Sequence, residues 1–322
     1  MEPYFHVVRI CCLLWGWALL PLAAHAAASA PLHILLTNDD GYAAPGIKAV
    51  HAALQAAGYA VTLVAPRENK SGSSVSVTTS PLSYEEVAPG VWAVAGSPAD
   101  AAAVGLQVVL RDQRPDLVVS GANLGQNAGR TANISGTVGA AIMAVQLGVP
   151  AVAISVGLFL DEKTAQPQPF PSTLASFPGA AQFTVTLVQQ LALGAGTGPL
   201  LPPGILLNVN YPPGRPGPPK GVRVAHHGQL GAFAFDYVPT GKPNEIKLLL
   251  RPETATEPQP TQADTALFAA GYVTVTVLDG DWGAPQGVRQ EVAQRLKPLL
   301  SPSDAGAAAC PPSGRFNPSL LR

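Results

Sequence analysis

A chain of 322 residues with a formal net charge of −1 and only 12% charged residues, against roughly 25% in ordinary globular proteins, excludes a nucleic-acid backbone or an anionic membrane surface as its main partner. Its 47% hydrophobic content supplies a large core, enough for one α/β domain or one domain with an appended arm. The 32 glycines and 33 prolines, about a fifth of the chain, stay below the ~25–30% that marks low complexity and indicate long loops on a globular body.

In chain order, the first expected element is a targeting segment. Arg9 precedes the apolar run Ile10 to Ala24, and Ala24-His25-Ala26 forms an A-x-A cleavage pattern. The run is shorter than the ~20 residues of a membrane span. Residues 1–26 are therefore expected to be a cleaved signal peptide, an uncleaved anchor being the alternative, with the mature chain periplasmic or secreted and no membrane partner after cleavage. Cys11 and Cys12 leave with the signal and Cys310 stands alone, so no intrachain disulfide is expected.

The following segments alternate strand and helix patterns. His33–Thr37 reads as a buried strand of a parallel sheet, Ile47, Val50 and Leu54 recur at helical spacing before Gly58, and Ala60–Ala65 is a second strand. This is a βαβ unit. Val91–Ala95, Leu117–Ser120, Ala151–Ser155 and Leu206–Val209 continue the strands, with helical patterns near 98–110, 137–147 and 172–193. The alternation predicts an α/β fold with a Rossmann-like, doubly wound, mostly parallel sheet. Pro-rich stretches at 164–171, 212–219 and 252–260 read as connections, and the tail 301–322, poor in apolar residues, as disordered.

Ligands of doubly wound folds bind at the carboxyl ends of the strands. One such end carries Asn38-Asp39-Asp40-Gly41. Two carboxylates so close repel unless a cation or a shared proton neutralises them. A hard cation such as Mg²⁺ suits one or two carboxylates and a substrate phosphate. The same four residues are also good turn chemistry, so a polar capping turn is the alternative. At a second strand end, Gly121–Asn127 leads to Ser135-Gly136-Thr137 at the start of an Ala-rich helix. These residues either cap that helix or hold an anion at its N-terminus. A third loop, Asn69–Ser74, brings hydroxyls towards the same edge or is a solvated linker. The glycines match neither dinucleotide nor Walker spacing.

Taken together, NDDGYAAPGI at 38–47, APRENKSGSS at 65–74 and SGANLGQNAGRTANISGTVGAA at 120–141 resemble the SurE family of survival-protein nucleotidases. GSPADA at 96–101, LLNVNYP at 206–212 and DTALFAAGYVTVTVL at 264–278 agree more weakly. The resemblance implies a domain over 32–300 with a C-terminal arm around 222–260 used in a homodimer or homotetramer. It also implies a divalent-metal-dependent phosphatase, with one Mg²⁺ or Mn²⁺, acting on nucleoside 5′- and 3′-monophosphates.

By motif position, the implied metal ligands are Asp39, Asp40, Ser71 and Asn123. Asn127, Ser135, Gly136 and Thr137 fall on the phosphate side. Asp39 or Asp40 then either positions water or attacks phosphorus, and the sequence leaves both open. Ala122 and Ile134 depart from the family pattern where larger aliphatic and aromatic residues are usual, which bears on substrate fit.

His33 and His51 read as structural, and His226-His227 as surface or arm residues. Phe233, Phe235 and Tyr237 alternate as on a hairpin; cross-strand packing in the arm is expected, stacking on a base being the alternative. The rival functions are a broad phosphomonoesterase for non-nucleotide esters, a phosphate-ligand binder without catalysis, and a purely structural domain.

Overall fold

The structure, a computed structural model, describes residues 31–214, 217–253, 260–280 and 285–297. The expected signal peptide and the expected tail lie outside the described residues. Strand β1 (His33–Thr37), helix α1 (Pro45–Ala56) and β2 (Ala60–Pro66) form the expected βαβ unit. Pro45 opens α1 where its missing N–H is not needed, and Gly58, at φ +87°, follows its end. The hairpin β3 (Tyr84–Ala88) and β4 (Val91–Val94) comes next. Strand β3 has all five residues exposed, so it carried no buried face for the sequence to announce.

Helix α2 (Pro98–Val104) runs on into one π-helical turn, Gly105–Val109. There follow β5 (Leu117–Leu124), α3 (Gly136–Gln146), β6 (Ala151–Val156), α4 (Pro171–Ala195) and β7 (Leu206–Tyr211). The last elements are β8 (Val222–Ala225), β9 (Phe233–Pro239), β10 (Ile246–Pro252), α5 (Asp264–Ala269), β11 (Val273–Leu278) and α6 (Gln286–Arg295).

Nine strands make one sheet in the order β3-β4-β2-β1-β5-β6-β7-β11-β8. From β4 to β7 every neighbour is parallel, while β3 and the β7–β11 pair are antiparallel. Successive β1 side chains serve opposite faces, as the strand period requires. Ile34 and Leu36 join Ile47, Val50 and Leu54 of α1 and Phe177 and Val185 of α4. Leu35 joins Ala101 of α2 and Val138, Ala141 and Ile142 of α3 on the other side. Helices thus cover both faces, and four consecutive fully buried residues on β1, Ile34 to Thr37, follow from that.

The chain leaves β1 in one direction to β2 and β4, and later fills the other side with β5, β6 and β7. The switch point therefore lies between the ends of β1 and β5, where such sheets open a crevice. Of the segment expected as an arm, β8 belongs to the main sheet beside β11. Strands β9 and β10 form a separate two-stranded hairpin.

Candidate active site

Immediately after β1 the chain turns on itself. The Asn38 amide donates to the Gly41 carbonyl at 2.9 Å, and its Oδ1 accepts from the Gly41 N–H at 3.2 Å. Gly41 sits at φ +103°, a conformation glycine adopts at least cost. This turn holds Asp39 and Asp40 in different directions. Asp39, 2% exposed, accepts the Thr137 hydroxyl at 2.7 Å on Oδ1 and meets the backbone N–H groups of Gly136 and Thr137. It therefore sits at the positive end of α3. Asp40 accepts the Leu124 N–H at 2.9 Å on Oδ2 and the Asn69 amide at 3.2 Å on Oδ1.

These bonds join the three loops. Asn69 also accepts the Ser71 N–H at 2.9 Å, and Lys70 N–H donates to the Asp39 carbonyl at 2.7 Å, so the serine loop is tied to the aspartates. At the end of β5 the register shifts between Ser120 and Asn123. A bulge of this kind re-aims the side chains that follow it. The Asn123 amide donates to the Gly125 carbonyl at 2.6 Å, which leaves its carbonyl oxygen as the donor atom for a cation. A side chain at Gly121 would place its Cβ 2.1 Å from the Ile154 carbonyl oxygen, so the neighbouring strand requires glycine there.

A cavity of about 210 Å³ brings together Asp39, Ser71, Asn123, Asn127 and Ser135. Asp40, Gly136 and Thr137 do not line it. Instead they brace it: a Cβ at Gly136 would come within 2.8 Å of both Asp39 Cβ and Ser73 Oγ, so only glycine lets α3 start this close to the aspartate. The Thr137 hydroxyl is committed to Asp39. Ser135 caps α3 by accepting the Val138 N–H at 3.1 Å. Asn127 is clamped on three sides: Asn210 Oδ1 accepts its N–H at 2.7 Å, its carbonyl accepts the Asn208 amide at 2.8 Å, and its own amide donates to Ser155 Oγ at 2.9 Å. Ser135 therefore caps the helix and lines the cavity at once.

Burial pushes both aspartates up from the ordinary carboxylate range. For Asp39, the Thr137 hydroxyl and the backbone N–H groups oppose that rise without cancelling it. For Asp40, burial and then the charge of Asp39 raise the carboxyl to about 7. Among the described residues, no lysine or arginine pairs with either one. The hydroxyls of Thr37, Ser73 and Ser120, at or near these strand ends, are buried with no protein partner. A buried and a half-buried carboxylate, neither with a cationic partner among the described residues, stand beside a hydroxyl and an amide oxygen and form an all-oxygen donor set that fits a hard divalent cation. No cluster of three or more His, Cys, Asp or Glu residues occurs among the described residues; the mixed set needs none.

Sequence reasoning missed several supporting residues. Asp264, fully buried, accepts the N–H groups of Gly129 at 3.0 Å, Gly228 at 2.9 Å and Thr265 at 2.7 Å. It ties the loop carrying Asn127 to the approach of the hairpin. Asn208 and Asn210, in LLNVNYP, read as strand residues only, although paired asparagines facing a fully covered sheet were a usable signal.

Phe233 and Phe235 line the cavity with Leu248 and Leu250, and the expected cross-strand pairing holds as well, with Phe235 opposite Leu250. His226 and His227 are exposed and line neither cavity. A larger cavity, about 340 Å³, lies by Phe159, Pro212, Pro219, Lys220 and Phe268. Among the described residues it is lined by no acid and no hydroxyl, so the acid-lined smaller cavity is the candidate site.

The family model described as survival protein SurE matches residues 34–232. The 5′-nucleotidase SurE of Desulfitobacterium hafniense is 35% identical over 259 residues, which cover 78% of this chain and 92% of that protein. The 5′-nucleotidase SurE of Anaeromyxobacter sp. strain K is 42% identical over 199 residues, covering 62% of this chain and 69% of the relative. Among solved structures, the SurE protein from Aquifex aeolicus superposes with a TM-score of 0.65 at 31% identity, over 83% of this chain and 99% of that one. With the fold, the strand-end loops and the relatives in agreement, this chain belongs to the SurE family.

Proposed function

We propose that this protein is a divalent-metal-dependent 5′-nucleotidase, which releases phosphate from nucleoside 5′-monophosphates and also from 3′-monophosphates. The observation that carries the reading is the buried Asp39 on a cavity shared with Ser71 and Asn123, with the half-buried Asp40 beside it and no cationic partner for either among the described residues. The names of the relatives, 5′-nucleotidase SurE, support the substrate class. Asp39, Asp40, Ser71 and the carbonyl oxygen of Asn123 would hold one Mg²⁺ or Mn²⁺. When bound, such an ion supplies positive charge to phosphoryl oxygens and lowers the pKa of water.

The chain's own residues do the rest by position. Thr137 and the start of α3 keep Asp39 oriented and favour its ionised form. Asn69 and the Leu124 N–H do the same for Asp40. Ser135 and Asn127 form the phosphate side of the cavity, and the loop fastened by Asn208, Asn210 and Asp264 keeps that side from moving.

Export to the periplasm or beyond is part of the proposal, on the strength of Arg9, the apolar run and Ala24-His25-Ala26. A homodimer or homotetramer is supported by the exposed apolar residues Tyr237, Ile246 and Leu249 on the hairpin. The deciding assay is phosphate release from AMP, GMP, a 3′-monophosphate and an aryl phosphate by purified protein, with Mg²⁺ or Mn²⁺ and with chelator. Turnover of nucleotides that chelator abolishes is the expected result. Turnover that chelator leaves intact, or none with any ester, would overturn it.

A further inference from the structure

The residues GSPADA at 96–101 lead into α2, and none of them lines either cavity. Ser97 caps the helix: its hydroxyl accepts the Asp100 N–H at 3.0 Å, and the Asp100 carboxylate accepts the Ser97 N–H at 2.8 Å. Helix capping is complete with that pair. Asp100 goes further and accepts the Thr78 N–H, at 3.1 and 3.2 Å on its two oxygens, and the Thr78 hydroxyl at 2.6 Å. The Ser97 hydroxyl also donates to the Ser76 carbonyl at 2.5 Å. Asp100 is buried. Burial raises its carboxyl, but the hydrogen bonds from Thr78 and Ser97 outweigh that, and the group lies below the usual carboxylate range. These bonds are therefore charge-assisted at neutral pH.

The segment that Asp100 grips is the downstream limb of the serine loop. Between β2 and β3, residues 67–83 form no helix or strand, so turns and side-chain bonds alone set the place of Ser71. Upstream, the loop is tied to the aspartates through Asn69 and Lys70. Downstream, the Ser74 N–H donates to the Ile134 carbonyl at 3.1 Å and the Ser74 hydroxyl to the Asn133 carbonyl at 2.7 Å. Thr78 on Asp100 is the next anchor. The start of α2 also abuts the site itself. A Cβ at Gly136 would stand 2.9 Å from Pro98 Cγ and 2.8 Å from both Asp39 Cβ and Ser73 Oγ. Helices α2 and α3, the serine loop and the aspartate thus meet at one point.

We propose that Asp100 is a positioning residue for the cation site: by holding Thr78 it fixes the downstream limb of the loop, and through it the place of the Ser71 hydroxyl. The inference rests on the metal-dependent phosphatase reading and adds to it a residue outside the cavity. One carboxylate serves both a helix start and a loop, so the two move as one unit. Loss of a group that orients a metal ligand typically lowers metal affinity by about 10–100-fold, because the ion must then order that ligand itself.

The test compares Mn²⁺ activation of AMP hydrolysis and calorimetric Mn²⁺ binding in wild type and four variants. In Asp100→Ala, both the Mn²⁺ concentration for half-maximal turnover and the dissociation constant should rise about tenfold, with kcat recovering at saturating Mn²⁺. Thr78→Val removes the hydroxyl and leaves the helix cap whole; it should raise both about threefold, and Thr78→Ser should restore them. Ala102→Gly weakens α2 without touching its cap and should leave both unchanged. Unchanged Mn²⁺ affinity in Asp100→Ala overturns the proposal, as does an equal rise in Ala102→Gly. A wild type that hydrolyses no ester or binds no Mn²⁺ sinks the phosphatase reading instead. In that event amide hydrogen exchange still decides the anchor. The Ser73 and Ser74 amides should exchange about tenfold faster in Asp100→Ala than in Ala102→Gly, and equal rates would reject it.

Discussion

The turn after β1 and the hairpin β9–β10 line one cavity, yet they are stabilised in opposite ways. The turn is a buried polar structure in which the aspartates accept hydrogen bonds from Thr137, Leu124 and Asn69. The hairpin is held at its base by a few backbone bonds and leaves Phe235, Tyr237, Ile246 and Leu248 substantially exposed. A buried polar network is rigid when satisfied and costly when broken. An apolar surface is tolerant, since it asks only for area. One cavity thus joins a demanding end and a permissive end.

Replacing Asp39 or Asp40 by Asn breaks the demanding end most severely. Each substitution keeps the volume and removes a charge, so turnover should fall by at least about a hundredfold with the fold retained. Phosphate release across a Mg²⁺ and Mn²⁺ titration, with circular dichroism for the fold, checks this. Near-normal turnover in both variants would remove the aspartates from the chemistry.

The join between the two ends should be next in size. Asp264→Ala leaves the N–H groups of Gly129, Gly228 and Thr265 without their acceptor, at a cost of roughly 3 kcal/mol. Urea unfolding measures it; a loss under about 1 kcal/mol would mean that water replaces the carboxylate.

A smaller effect follows from the Asp40 carboxyl, raised from 3.8 to about 7 by burial and the Asp39 charge. Between those values the folded, metal-free protein binds a proton that the unfolded chain has released. The contribution is therefore complete below about pH 4 and lost as pH rises through about 7. In chelator, Asp40→Asn should be more stable than wild type at pH 8, and the gap should close towards pH 4. A gap that does not vary with pH would rule out the titration.

The smallest expected change comes from Thr137→Val. Because the hydroxyl serves Asp39, kcat/KM should fall only a few-fold, on the order of one hydrogen bond. The acid limb of its pH profile should move upward, while inhibition by phosphate should stay unchanged. Weaker phosphate inhibition would instead return Thr137 to direct contact with substrate.

The α/β order, the βαβ start and the three strand-end loops were all legible in the chain because each rests on local patterns. Apolar runs with a period of two or 3.6 are written in consecutive residues, and Asn38–Gly41 is turn chemistry wherever it stands. Strands β3 and β11 and the place of β8 were not legible. Strand β3 has no buried face, and β8 earns its position only by pairing with β11 some fifty residues later.

The same division runs through the site. By itself the sequence determined that Asp39, Asp40, Ser71 and Asn123 lie at the carboxyl edge of a parallel sheet, since topology carries strand ends to one side. Only the tertiary structure decided that Thr137, 98 residues away, serves Asp39 rather than the cavity. It alone turned Phe233 and Phe235 towards the aspartates, through a clamp in which Asp264 reaches Gly129 across 135 residues. Hydrogen bonds between distant segments leave no period in the sequence, because each partner satisfies a need that the other's neighbours never reveal.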